Sequence, residues 1–169
     1  NNKGLALLMQ GEHAKSIQAF DKAIKLDPKL ALAWNNKGFV LYNQDKYDDA
    51  IQFYDKAIEL DPKLALAWNN KGLALHKQGE NEKAIQFFDR AMELDPKLAM
   101  AWNNKGLVFL KQGENDKSIP FFDKAIELDP KLALAWNNKG FALLNQGEND
   151  KSIPFFDRAI ELNPELALA

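Results

Sequence analysis

Two histidines, His13 and His76, are the side chains in this sequence best suited to acid–base or metal chemistry at neutral pH. They stand far apart, and neither begins a ligand spacing with a second histidine, so no metal set or general-base pair forms around them. Ser16, Ser118 and Ser152 have no histidine close in the chain to take their protons. The carboxylates Asp21, Glu59, Glu93 and Glu127 flank Lys or Arg at helical spacing and read as solvated ion-pairing faces. Glycines occur singly, so no phosphate-cradling loop is present. Cysteine is absent, which removes thiol nucleophiles, thiolate metal sites and disulfides and suits a reducing, cytoplasmic setting. The sequence therefore predicts no enzyme, no catalytic residues, no metal site and no cofactor.

Charge narrows the partners. The 22 basic and 24 acidic residues are interleaved and sum to −2. Without a basic stripe, nucleic acid is not an expected partner. No apolar run approaches the ~20 residues that cross a bilayer, so no membrane span is expected either.

The side chains that do recur are asparagines. Asn-Asn-Lys-Gly begins at Asn1, Asn35, Asn69, Asn103 and Asn137, always 34 residues apart. Trp34, Trp68, Trp102 and Trp136 precede the last four copies, and their fixed offset from Gly38 and its equivalents predicts that they are largely buried. Pro28, Pro62, Pro96, Pro130 and Pro164 keep the same interval, as do Gly11, Gly79, Gly113 and Gly147, with Asp45 in the missing place. A period of this length signals a solenoid or an array. The expected organisation is one array over residues 1–169, with repeats near 1–33, 34–67, 68–101, 102–135 and 136–169, taken from a longer chain.

Each repeat divides into two helix-length segments. From Leu64 to about Gln78, apolar or small residues recur at Ala65, Trp68, Gly72 and Leu75, one stripe of a helix. Gly79 is placed to end it. From Asn81 to Leu94, a second stripe runs through Ala84, Phe87, Phe88, Ala91 and Leu94. Asp95-Pro96 then breaks the pattern, with Asp as a candidate N-cap and Pro as the first residue of the next helix. Gly72 inside a helix costs ~1 kcal/mol relative to Ala, so its recurrence predicts a partner helix pressed against it near Phe88. Lys37 and its equivalents are expected to pair with Asp55 and its equivalents inside the same repeat. Pro120 and Pro154 predict a local distortion or a late start in their helices.

These residues resemble the tetratricopeptide repeat family along the whole chain. Trp34, Gly38, Leu41, Ala50, Tyr54, Ala57 and Pro62 stand at that family's offsets. Lys37 departs from it where the family has Leu, and Ser16, Ser118 and Ser152 replace its first Ala. The resemblance implies an all-α fold, a right-handed superhelical solenoid of helix-turn-helix repeats, whose first helices line a concave groove.

On each first helix one stripe would face that groove: Leu32, Asn35, Phe39 and Tyr42; Leu66, Asn69, Leu73 and His76; Met100, Asn103 and Leu107; Asn137 and Phe141. Asn36, Asn70, Asn104 and Asn138 border it. Asn is disfavoured inside helices by some tenths of a kcal/mol, so paired Asn residues either grip a ligand backbone or bond to neighbouring helices. The stripe holds no Arg, and Lys77 and Lys111 lie only at its edge, which does not suit the terminal-carboxylate clamp of the family's chaperone-tail binders. The expected function is a scaffold binding a protein or peptide segment in the groove, with little salt dependence. Alternatives are end-to-end self-association through the open repeat ends, where Ile153, Phe156 and Ile160 would be bare, or a regulatory arm of a larger protein.

Overall fold

The computed structural model describes residues 1–168. Among the described residues ten α-helices follow one another: α1 (Asn2–Met9), α2 (His13–Leu26), α3 (Ala31–Tyr42), α4 (Tyr47–Leu60), α5 (Ala65–Lys77), α6 (Asn81–Leu94), α7 (Ala99–Lys111), α8 (Asn115–Leu128), α9 (Ala133–Asn145) and α10 (Asn149–Leu162). A 3-10 helix, Pro164–Leu168, follows α10 and packs on it. The expected opening of a further first helix at 166–169 lies partly outside the described residues.

The helices gather in two units, Asn1–Leu94 and Asp95–Ala169. In the first, α1 packs on α2, α3 on α4 and α5 on α6; in the second, α7 packs on α8 and α9 on α10. Each pair is one sequence repeat. Within a unit, the second helix of one repeat also packs on the first helix of the next.

The pairs close on the recurring glycine. A Cβ added at Gly72 would lie 2.8 Å from Phe88 Cε1 and 3.2 Å from the Ala84 carbonyl oxygen. Tyr54 stands in the same relation to Gly38, and Phe122 to Gly106. Phe20, Tyr54, Phe88 and Phe122 are fully buried, and each such ring contributes about 1.5–3 kcal/mol of apolar burial. The close approach outweighs glycine's poor helix propensity.

The turns inside the pairs follow from single residues. After α5, Gly79 takes φ 82°. Its N–H bonds to the His76 carbonyl and the Glu80 N–H to the Leu75 carbonyl, closing the helix end. After α3 the same bonds form around Asp45, at φ 59°, the left-handed conformation in a residue with a side chain.

Three expectations change. Asp95 does not cap α7: its carboxylate accepts the Lys97 N–H at 3.0 Å, and the helix starts at Ala99 behind Leu98. The short side chain closes a turn on itself and spends its cap locally. Pro120 and Pro154 lie inside α8 and α10, which begin at Asn115 and Asn149 with no delay. The Trp residues are half-buried instead of largely buried. Trp68 packs on Phe87 with ring centroids 5.4 Å apart, while its Nε1 donates to the Pro62 carbonyl at 3.0 Å. Reaching that turn keeps one edge of the indole at the surface.

Gly72→Ala should lower stability by about 1–3 kcal/mol despite the gain in helix propensity, because the new methyl group meets the Phe88 ring. Denaturant unfolding showing a stabilised variant would contradict the tight approach. Phe88→Ala should cost about 3–5 kcal/mol and more than Trp68→Ala. The reverse ranking would place the principal core contact at the indole.

Candidate functional site

The paired asparagines are engaged with one another. In the unit Asn1–Leu94, Asn69 Nδ2 donates to Asn70 Oδ1 at 3.2 Å and Asn70 Nδ2 donates to Asn35 Oδ1 at 3.0 Å. Asn35 Nδ2 donates to Asn36 Oδ1 at 3.2 Å, and Asn36 Nδ2 to Asn1 Oδ1 at 3.1 Å. The relay crosses three first helices. In the unit Asp95–Ala169, Asn138 donates to Asn103 at 2.9 Å and Asn103 to Asn104 at 3.3 Å.

Asn35, Asn69, Asn103 and Asn104 are only 2–3% exposed. The exposed amide line suggested by the sequence is replaced at these four places by an internal seam. Asn36, Asn70, Asn137 and Asn138 are half-buried along it. Amide side chains carry both donors and an acceptor, so a chain of them satisfies itself between helices where carboxylates, which only accept, would not. The bonds donated by Asn36, Asn70 and Asn138 tie one repeat to the previous one and penalise a slip of register.

The recurring lysine does the same work between repeats. Lys37 Nζ meets Asp21 Oδ1 at 2.5 Å and lies 4.5 Å from the centroid of the Phe53 ring. Lys139 meets Asp123 at 2.5 Å and covers Phe155, and Lys71 pairs with Asp55 and covers Phe87. The expected pair within one repeat is therefore corrected: the acid belongs to the preceding repeat, because the first helix packs on the second helix before it. The aspartates are about half exposed, so each ion pair contributes only ~0–1 kcal/mol.

Apolar side chains remain on the first helices. Leu5, Leu32, Phe39 and Leu66 are exposed in the first unit, and Leu134, Phe141 and Leu144 in the second. Among the described residues, every exposed large hydrophobic of the second, third and fourth repeats lies on a first helix. Met100, Leu73 and Leu107 are half-buried, as are Tyr42 and His76. His76 Nδ1 lies 2.7 Å from Asn81 Oδ1. No group of three or more His, Asp or Glu placed to hold a metal ion occurs among the described residues. Nor, among them, is any helix long and apolar enough to cross a membrane.

The second repeat gathers all three tyrosines of the chain. Tyr42 stacks on Phe39 with centroids 6.2 Å apart and tilts against Tyr47 at 5.5 Å. Tyr47 Oη donates to Asp45 Oδ1 at 2.5 Å. Burial, aided by Tyr47 and Asp45, pushes the Tyr42 phenol up to about 12. The hydrogen bond to Asp45 raises that of Tyr47, and burial raises that of Tyr54 further. The Tyr54 hydroxyl is buried with no hydrogen-bond partner among the described residues. Tyr47, Asp45 and this hydroxyl were not among the site residues that the stripe suggested. Their signal was their departure from the other repeats.

This geometry defines a class: a helical-repeat scaffold that exposes apolar side chains on its first helices α3, α5 and α9. The model of the tetratricopeptide repeat matches residues 31–64, 65–98, 99–132 and 133–166, and a second model of the repeat matches 4–45. The chain belongs to the tetratricopeptide repeat family, and with it to the protein-interaction scaffolds that such repeats build. The matched units open at the first residues of α3, α5, α7 and α9.

The crystal structure of MamA is 28% identical over 98% of this chain and 97% of its own, with a TM-score of 0.73. YrrB, described as a TPR protein with an unusual peptide-binding site, is 25% identical over 96% of this chain and 84% of its own, at 0.64. Cut9–Hcn1, of an APC/C hetero-tetramer, is 21% identical over 95% of this chain and 32% of its own; its TM-score of 0.89 reflects the fold alone. No curated protein matches the chain in sequence.

Asn69→Ala should destabilise the fold by about 1–3 kcal/mol, since it removes a buried bond to Asn70 and strands that amide's acceptor. Asn2→Ala, at an exposed position, should change stability little. Equal and negligible effects in chemical denaturation would show that the relay contributes nothing. The tyrosines give a pH test. Their folded phenols lose protons above the ordinary value of 10.0, so the folded state holds more protons than the unfolded chain in alkali. That stabilisation is complete below about pH 10 and is lost as pH rises through about 12. Tyrosinate absorbance should therefore lag behind that of free tyrosine and rise as helicity falls. Ionisation of all three phenols near pH 10 with intact helices would contradict the cluster.

Proposed function

We propose that the chain binds an extended or amphipathic peptide segment of a partner protein on the face made by its first helices. The carrying observation is the placement of exposed apolar side chains. Leu32, Phe39 and Leu66 are exposed on first helices of one unit, and Leu134, Phe141 and Leu144 on a first helix of the other. An apolar patch held on a rigid helical frame is a recognition surface, and spaced side chains on it select spaced apolar residues in the ligand. The half-buried amides of Asn36, Asn70, Asn137 and Asn138 border the patch and can hydrogen-bond a peptide backbone. Leu73 and His76 on α5 and Met100 and Leu107 on α7 are half-buried members of the same sequence stripe. The peptide-binding site named for YrrB, a similar chain, supports the same reading.

End-to-end self-association is a second reading. It is favoured by the exposure of Ile153 and Ile160 on α10, apolar side chains on a second helix. Light scattering over a concentration series separates the two, since peptide binding alone leaves the mass constant.

Peptides selected from a random library on the immobilised protein should carry spaced apolar residues. Leu32→Ser with Leu66→Ser should weaken their binding at least about tenfold, two anchors being worth about 1.4 kcal/mol or more together. Both side chains are exposed, so the fold should persist. Full binding by that variant would remove the first-helix face as the site.

A further inference from the structure

The second repeat differs from the others at positions that meet in space. Where four repeats place Gly11, Gly79, Gly113 and Gly147, it places Asp45. Where they place Leu8, His76, Leu110 and Leu144, it places Tyr42, and Tyr47 replaces His13, Asn81, Asn115 and Asn149. Tyr54 replaces Phe20, Phe88, Phe122 and Phe156. These four residues with Phe39 form one cluster: Phe39 on Tyr42, Tyr42 on Tyr47, Tyr47 bonded to Asp45, and Tyr42 packed against the core that holds Tyr54.

We propose that this cluster receives a cationic side chain, lysine or arginine, from the segment bound on the first-helix face. The inference rests on peptide binding to that face and adds to it one charged contact. Three features carry it. Asp45 holds a carboxylate in a left-handed conformation that suits glycine, so the side chain is retained against its backbone preference. That carboxylate accepts from the Tyr47 hydroxyl, Tyr47 packs on half-buried Tyr42, and Tyr42 stacks on exposed Phe39, rings whose faces attract cations. Asp48 and Asp49 follow in the first turn of α4, so residues 45–49 carry three carboxylates against the single ammonium of Lys46. Asp48 is engaged with Gln78 Nε2 at 2.7 Å, and Asp45 accepts from Tyr47 Oη through Oδ1, so Asp45 would meet a cation through its second carboxylate oxygen.

An anionic ligand would be repelled by these carboxylates, and a purely apolar one would make no use of Asp45. A guanidinium or ammonium on an aliphatic stem matches both parts, the stem against Phe39 and Tyr42 and the charge towards Asp45.

The test uses blocked peptides with spaced leucines and one variable position between them, carrying arginine, lysine, citrulline or glutamate. Binding is followed by calorimetry and by the ring resonances of the three tyrosines. The arginine and lysine peptides should bind about five- to tenfold more tightly than the citrulline peptide, and added salt should shrink the difference. They should also shift the Tyr42 and Tyr47 resonances. Asp45→Gly restores the residue of the other repeats, so it should keep or raise the melting temperature while abolishing most of the charge preference. Tyr42→Leu with Tyr47→Asn, which installs the residues of the fourth repeat, should act in the same direction. Equal binding of the arginine and citrulline peptides would overturn the inference and leave the apolar face standing. A full charge preference in Asp45→Gly would also overturn it. Failure of every peptide to bind would overturn both this inference and the first-helix face.

Discussion

The contact between a helical glycine and an aromatic ring governs this architecture. Gly38 against Tyr54, Gly72 against Phe88 and Gly106 against Phe122 let two helices approach until a Cβ would collide with the ring. The approach buries the ring completely in these pairs and sets the distance between the helices. Everything built on the pair inherits that spacing, including which residues of the first helix face inward. A glycine that weakens one helix by ~1 kcal/mol thereby makes the pair possible.

The second constraint acts between pairs. Helix packing alone leaves neighbouring repeats free to slide, since leucine and alanine contacts are tolerant of small shifts. The asparagine relay and the lysine ties to the preceding repeat are directional and fix the register. Buried amides are costly when unpaired, so they favour the one arrangement in which each finds its neighbour. Keeping these polar groups inside leaves the outer part of α3, α5 and α9 to exposed leucine and phenylalanine. A recognition surface results in which the frame is polar and ordered, and the contacts offered to a partner are apolar.

The second repeat shows how an array of near-identical units acquires an individual site. Duplication supplies the frame, and single substitutions at fixed register positions then change one unit. Tyr42, Tyr47 and Tyr54 can meet because the frame brings those three positions together in every repeat. In the fourth repeat the same positions hold Leu110, Asn115 and Phe122. The frame is therefore common to all repeats, while the chemistry at one place belongs to one of them.

The 34-residue period, the two helices per repeat, the Gly79 stop and the Gly72–Phe88 contact were all legible in the sequence, because each rests on local propensity or on a constraint repeated five times. The apolar stripe was legible for the same reason: helical periodicity assigns Leu32, Phe39 and Leu66 to one face. Partner choice among polar side chains was not. Lys37 could reach an acid in its own repeat or in the one before, and only helix packing selected Asp21. Asn35 could face a ligand or a neighbouring amide, and burial between first helices chose the amide. The Asp95 turn and the half-exposed Trp68 edge were decided in the same way, by hydrogen bonds whose geometry exists only after the chain has folded. Periodicity is a property of the chain and can be read from it, whereas the pairing of equivalent donors and acceptors depends on distances that tertiary packing alone supplies.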